Sequence, residues 1–202
     1  MMRIIDSNNT NPSLLLLLAA AEELIREKGC RATTLQDIIN KTGLSKGAIY
    51  HYVSSKDELF GLILQSKVKA MNDSFQEAIA RAMKSNDSNA PFLAVAQGLH
   101  ESSKESSAYN SIFIYLLSQK ENPAIAKILA QLQQYSRETT IQWIKSGQQE
   151  KAIPHSVDPA KMADLFLIFT YGLRVQNLIA PTSTAIDSAY LYHMIMTTLK
   201  QQ

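Results

Sequence analysis

Apolar residues recur along this chain at intervals of three and four, without a run of strict apolar/polar alternation, which is the pattern of helices. A first helix takes in Leu14–Leu18 and continues in register through Ala20, Ala21, Leu24 and Ile25, entered through Asn11-Pro12-Ser13 with proline at an early helical position. Leu35, Ile38 and Ile39 share one face of a short second helix. Ala48, Ile49, Tyr52 and Val53 share one side of a short third. From Ser55 to about Lys84 an apolar stripe of Leu59, Phe60, Ile63, Leu64, Val68, Met71, Phe75, Ile79 and Met83 predicts a single long helix, with Lys69, Asp73, Gln76, Glu77 and Arg81 facing away. Ser85-Asn86-Asp87-Ser88-Asn89 reads as a polar linker (85–90). Further helices are predicted over roughly 91–105, 107–121, 123–150, 158–180 and 187–201, punctuated by Pro123, Pro159 and Pro181.

With seven glycines, six prolines and 46% apolar residues in 202, composition agrees with an all-α chain large enough to bury a substantial core. The Leu14–Leu18 run behind Arg3 has the look of a secretory leader, but Asp6 and the Asn/Thr/Pro-rich residues 6–13 make a poor charged region. The run is also too short to span a bilayer. A cytoplasmic protein is expected, without membrane partners, in which residues 1–10 form an arm whose Arg3 is within reach of a phosphate. Residues 1–70 hold nine Lys/Arg against seven Asp/Glu, and the remainder holds eleven of each, so the net charge of +2 sits in the N-terminal part.

Catalytic chemistry is not legible. His51, His100, His155 and His193 lack ligand spacing, so no metal site or cofactor is expected. No nucleophile elbow or phosphate-cradling glycine motif occurs, which argues against an enzyme. Cys30 has no partner for a disulfide; it reads as a small packed residue, and a redox role would require a lowered thiol pKa.

The segment 33–56 carries the functional signal. Thr34 caps the second helix with Asp37 three residues on, Gly43 permits the left-handed turn that ends it, and Ser45 caps the third. Opposite the packed side of that third helix lie Lys46, Gly47, Tyr50 and His51. They make a polar, aromatic and basic face, thin at Gly47, as a helix entering the major groove requires. Ser55-Lys56-Asp57-Glu58 is a capping box with a lysine in its first turn, suited to holding a phosphate with the free backbone N–H groups.

Residues 14–60 resemble the DNA-binding head of the TetR family of helix-turn-helix transcriptional regulators. The matching features are Ala20-Ala21, Leu24-Ile25, Gly29, Thr33-Thr34, Ile38, Gly43-Leu44-Ser45, Gly47, Ile49-Tyr50, Tyr52 and Ser55-Lys56. Val53 and Ile25 stand where the family often has phenylalanine, and Ile39 and Thr42 where it usually has alanine, which reads as a repacked head. The resemblance implies a three-helix head over residues 1–58, joined by the long helix to a helical effector-binding and dimerisation domain over 59–202. Expected DNA contacts are Thr34, Gln36, Lys46, Gly47, Ala48, Tyr50, His51, Tyr52 and Lys56, on a palindromic double-stranded operator.

Effector contacts, for a small hydrophobic or aromatic compound, are expected among Tyr109, Phe113, Leu117, Trp143, Phe166, Phe169 and Tyr171, with His100 and Gln176 as polar anchors. A homodimer is expected through the last two helices, with Phe166, Leu173, Leu191, Met194, Ile195 and Leu199 at the interface. The implied role is a ligand-responsive regulator, a repressor released by its effector, with the long helix acting as a lever. The rival reading is a helical protein-interaction module whose head no longer reads DNA; the face at Lys46, Tyr50 and His51 argues against it.

Overall fold

A computed structural model of the chain describes residues 11–85, 90–104, 106–180 and 186–200. Among them are nine α-helices and no strand: α1 (Pro12–Ala32), α2 (Leu35–Thr42), α3 (Lys46–Tyr52), α4 (Lys56–Ser85), α5 (Ala90–Ser103), α6 (Ala108–Leu117), α7 (Pro123–Gln149), α8 (Pro159–Ile179) and α9 (Ser188–Lys200). The all-α expectation holds, and each observed boundary falls within a few residues of its predicted one. Residues 1–10 with Arg3, the linker core 86–89 and Pro181 lie outside the described residues.

The chain divides into two compact units, one containing Met1–Lys67 with Ser106–Gln133, the other Val68–Glu105 with Gln134–Gln202. Helix α4 supplies residues to both, and so does α7. The first unit is built on α1, which packs against α2 and against α6. Leu17, Ala21, Ile38, Ile49, Phe60, Ile112 and Leu116 are wholly enclosed there. Ile25 and Val53, the two positions that lack the family's phenylalanine, are buried as well, so aliphatic side chains fill these sites.

In the second unit α9 runs along α5, and α8 also packs on α5. Its core joins Phe75, Phe92 and Trp143, whose ring centroids lie 5.9 Å (Phe75–Phe92) and 5.4 Å (Phe75–Trp143) apart, to Leu191, Ile195 and Leu199. The Trp143 indole N–H donates to Asn72 Oδ1 at 3.0 Å, satisfying the one polar atom this ring brings inside. Arg137 forks onto both carboxylate oxygens of Asp164 at 2.6 and 3.1 Å, fastening α7 to α8. The hydrogen bond from that guanidinium holds the Asp164 carboxyl below the usual carboxylate range.

The end of α7 shows how tightly this unit is closed. Lys151 adopts a left-handed φ of 58°, and the Ala152 and Ile153 N–H groups return to the Gly147 carbonyl at 2.9 and 3.0 Å. A β-carbon at Gly147 would meet Ile153 Cδ1 at 2.7 Å and Phe92 Cζ at 2.8 Å, both on core side chains. Gly147→Ala should therefore lose more to overpacking, typically about 1–3 kcal/mol, than it gains in helix propensity, up to about 1 kcal/mol. A lowered thermal midpoint by circular dichroism checks this; an unchanged or raised one would mean that Phe92 and Ile153 yield freely.

Candidate nucleic-acid interface

The head is set by its caps. Thr34 Oγ1 accepts from the Asp37 N–H at 3.1 Å while Asp37 Oδ2 accepts from the Thr34 N–H at 2.8 Å, so the threonine–aspartate box at the start of α2 is complete. Lys28 adds an ion pair to the same carboxylate at 2.7 Å. Hydrogen bonds from Lys28 and Thr34 hold the Asp37 carboxyl down at about 2. A depressed folded-state pKa contributes stability above the ordinary carboxylate range, and that contribution is lost as pH falls through about 2. Gly43, in the left-handed region at φ 69°, ends α2 with its N–H on the Ile39 carbonyl, and Ser45 Oγ accepts from the Ala48 N–H at 3.2 Å to start α3.

Between these caps Ile38 and Ile49 are completely buried, which fixes how α2 and α3 rotate about their axes. Lys46, Gly47, Tyr50 and His51 consequently stand exposed on α3, and Ala48 and Tyr52 are half-buried beside them. Lys46 Nζ sits 5.7 Å from the Tyr50 ring centroid, one helical turn away, so charge and aromatic surface form one patch. On α2 Thr34 and Gln36 are exposed; the first is committed to its cap, and the second donates to Asn40 Oδ1 at 2.9 Å. The other cations of this region are largely neutralised, Lys41 by Glu23 and Glu27 and Lys67 by Glu22. Among the described residues Lys46 has no ion pair, which leaves it available to a phosphate or base edge.

Lys56, expected at a phosphate, is engaged by the protein's own backbone. Its ammonium lies 3.1 Å from each of three carbonyl oxygens, those of Cys30, Arg31 and Thr33, which matches the three donors it owns. It caps the negative end of α1, and a phosphate contact would have to displace these bonds. The Ser55 box forms in altered register: Ser55 Oγ accepts from the Glu58 N–H at 3.1 Å, but the Glu58 carboxylate takes the N–H of Ser54, at 2.6 Å. Cys30 is buried, and burial pushes its thiol up to about 11 against the opposing pull of Lys56. It is a protonated, packed thiol at neutral pH, the opposite of what a redox sensor needs.

The expected effector contacts fall in both units. Tyr109 and Phe113 are buried and Leu117 is exposed on α6, in the first unit; in the second, Trp143 is core, Phe166 and Phe169 pack against that core, His100 and Tyr171 are half-buried and Gln176 is exposed. The expected dimer contacts are mostly used within the chain. Leu173, Leu191, Ile195 and Leu199 are buried in their own unit, and Phe166 and Met194 pack partly against it. What α8 leaves outside is a different set: Leu165, Ile168, Val175 and Ile179 are exposed, with exposed Gly172 between them. Their spacing of three, four, three and four is that of a coiled-coil seam. Nothing stands within 4 Å of where a Gly172 β-carbon would be. The pattern is present in the sequence, but a helix apolar on nearly all sides does not say which stripe its own chain covers.

No helix among the described residues is long and apolar enough to cross a membrane, and no group of three or more His, Cys, Asp or Glu among them is placed to hold a metal ion. The family model described as "Bacterial regulatory proteins, tetR family" matches residues 17–63, which are α1 through the first turns of α4. The HTH-type transcriptional repressor KstR2 of Rhodococcus jostii is 26% identical over 85% of this chain and 82% of its own length. The HTH-type transcriptional regulator UidR of Escherichia coli K12 is 24% identical over 80% of each. Among solved structures, Salmonella enterica GusR superposes with a TM-score of 0.63 at 19% identity over 96% of this chain and 98% of that one. Residues 17–63 are thus a TetR-family helix-turn-helix head, the fold of solved TetR-type regulators extends over nearly the whole length of the chain, and the protein is a DNA-binding regulator.

Proposed function

We propose that this protein is a repressor that binds a palindromic operator as a homodimer in the cytoplasm and releases it when a small, largely apolar effector binds outside the head. The observation that carries the DNA reading is the exposed α3 face of Lys46, Gly47, Tyr50 and His51 on a helix whose other side is locked by Ile49. In this reading residues 1–58 read DNA and 59–202 serve effector and partner. Tyr50, His51 and Lys46 reach base edges or adjacent phosphates, and Thr34, Gln36, Ala48 and Tyr52 border them. One such helix buries little surface on DNA, so a two-fold pair is needed for affinity and site length. The uncovered α8 stripe supports pairing: from Leu165 to Ile179 it runs on the order of 20 Å along the helix, enough for a helix–helix contact across a two-fold axis.

In-vitro selection from random duplexes with the full chain tests this. Recovered sites should be inverted repeats with half-sites one helical turn apart, and Lys46→Ala should lower the salt dependence of binding by about one unit. Recovery of no enriched sequence would favour a protein-interaction module instead. For the effector, Trp143 is the single tryptophan of the chain and lies in the second unit's core, so its emission is a direct readout for a compound screen. Any effector that lowers operator affinity tenfold implies about 1.4 kcal/mol of coupling, and operator must weaken its binding by the same factor.

A further inference from the structure

Thr33 is fully buried between α1 and α2, and Thr34, the next residue, is the cap that sets α2. The carbonyl of Thr33 and those of Cys30 and Arg31 converge on Lys56 Nζ. That ammonium comes from α4, and it also lies 5.4 Å from the ring centroid of Tyr115 on α6. The Tyr115 ring is itself held edge-on against Phe60, centroids 5.6 Å apart. Four helices of the first unit therefore meet at one cation: the end of α1, the approach to α2, the first turn of α4 and the last turns of α6. The other charged links between α1 and α2, Lys28–Asp37 and Lys41 with Glu23 and Glu27, are exposed ion pairs that salt weakens.

We propose that Tyr115 and Lys56 are positioning residues for operator reading: the Tyr115 ring face holds the Lys56 ammonium in its carbonyl pocket, and through it α6 sets the placement of α2 and α3. The aromatic face supplies a site for a cation that an aliphatic side chain of similar size does not. A displacement of α6 then loosens the α1–α2 junction without any contact to DNA. This rests on the DNA-reading assignment and adds to it a residue, Tyr115, far in sequence from the reading face.

The test compares Tyr115→Phe, which keeps the ring, with Tyr115→Met, which keeps bulk without it. Tyr115→Phe should bind the selected operator as the parent chain does. Tyr115→Met should lose at least tenfold in operator affinity while its thermal midpoint stays within about 2 °C, and its single cysteine, Cys30, should be alkylated by iodoacetamide several-fold faster. Adding Tyr115→Met to Lys56→Met should cost nothing more, because both act through one contact. The joint is overturned if Tyr115→Met binds operator normally, if its loss of affinity merely tracks loss of fold, or if the two substitutions add. Failure of the parent chain to bind any selected duplex would overturn the DNA reading instead, and unchanged Cys30 alkylation in Tyr115→Met would then overturn the joint as well.

Discussion

Ile195→Asp is expected to unfold the second unit rather than to separate two folded chains. Ile195 is 3% exposed on α9 and belongs to the core that holds Phe75, Phe92, Trp143 and Leu191. A carboxylate among these apolar side chains must either stay charged in an apolar site or take up a proton, and both are expensive. A loss of roughly 4 kcal/mol or more is of the order of a domain's whole net stability. For a chain of this size it corresponds to a fall in melting temperature of very roughly 8–16 °C. Circular dichroism with Trp143 emission measures it. A chain that melts like the parent would mean that Ile195 faces outward and that α9 has been rotated.

The same substitution one helix earlier should do the reverse. Ile168 is 67% exposed on α8, so Ile168→Asp costs its own chain little. In a two-fold pair it would place two carboxylates in the apolar seam, so that each substitution counts twice. The expected result is a folded monomer by sedimentation with an unchanged melt at low concentration, and operator affinity reduced about 10²–10⁴-fold as the second head loses its tethered advantage. A folded dimer with normal operator binding would move the interface away from Leu165, Ile168, Gly172, Val175 and Ile179.

These two residues mark what the chain's pattern discloses and what it withholds. Helix positions were legible because prolines, caps and the 3.6-residue period agree, as at Pro12, Thr34, Gly43 and Asp158. The outward face of α3 was legible for the same reason: Ile49 must be inside, so Lys46, Tyr50 and His51 must be outside. On α8 and α9 the period says only that a stripe is apolar, and Leu191, Ile195 and Leu199 are as suited to α5 of their own chain as to a partner. Lys56 escaped for another reason. Its acceptors are backbone carbonyls 23 to 26 residues away, and carbonyls leave no mark in a sequence. The aromatic residues expected at an effector are divided between two units that interleave along the chain, a division that local periodicity does not encode.

The central assignment, a paired reader of specific DNA, is tested most directly by titrating the full chain against its selected duplex and a scrambled duplex of equal length and composition at physiological salt. Binding about 10³-fold or more tighter to the selected duplex, with two chains bound per site, is the expected result. Equal affinity for both duplexes, or one chain per site at full affinity, would contradict it.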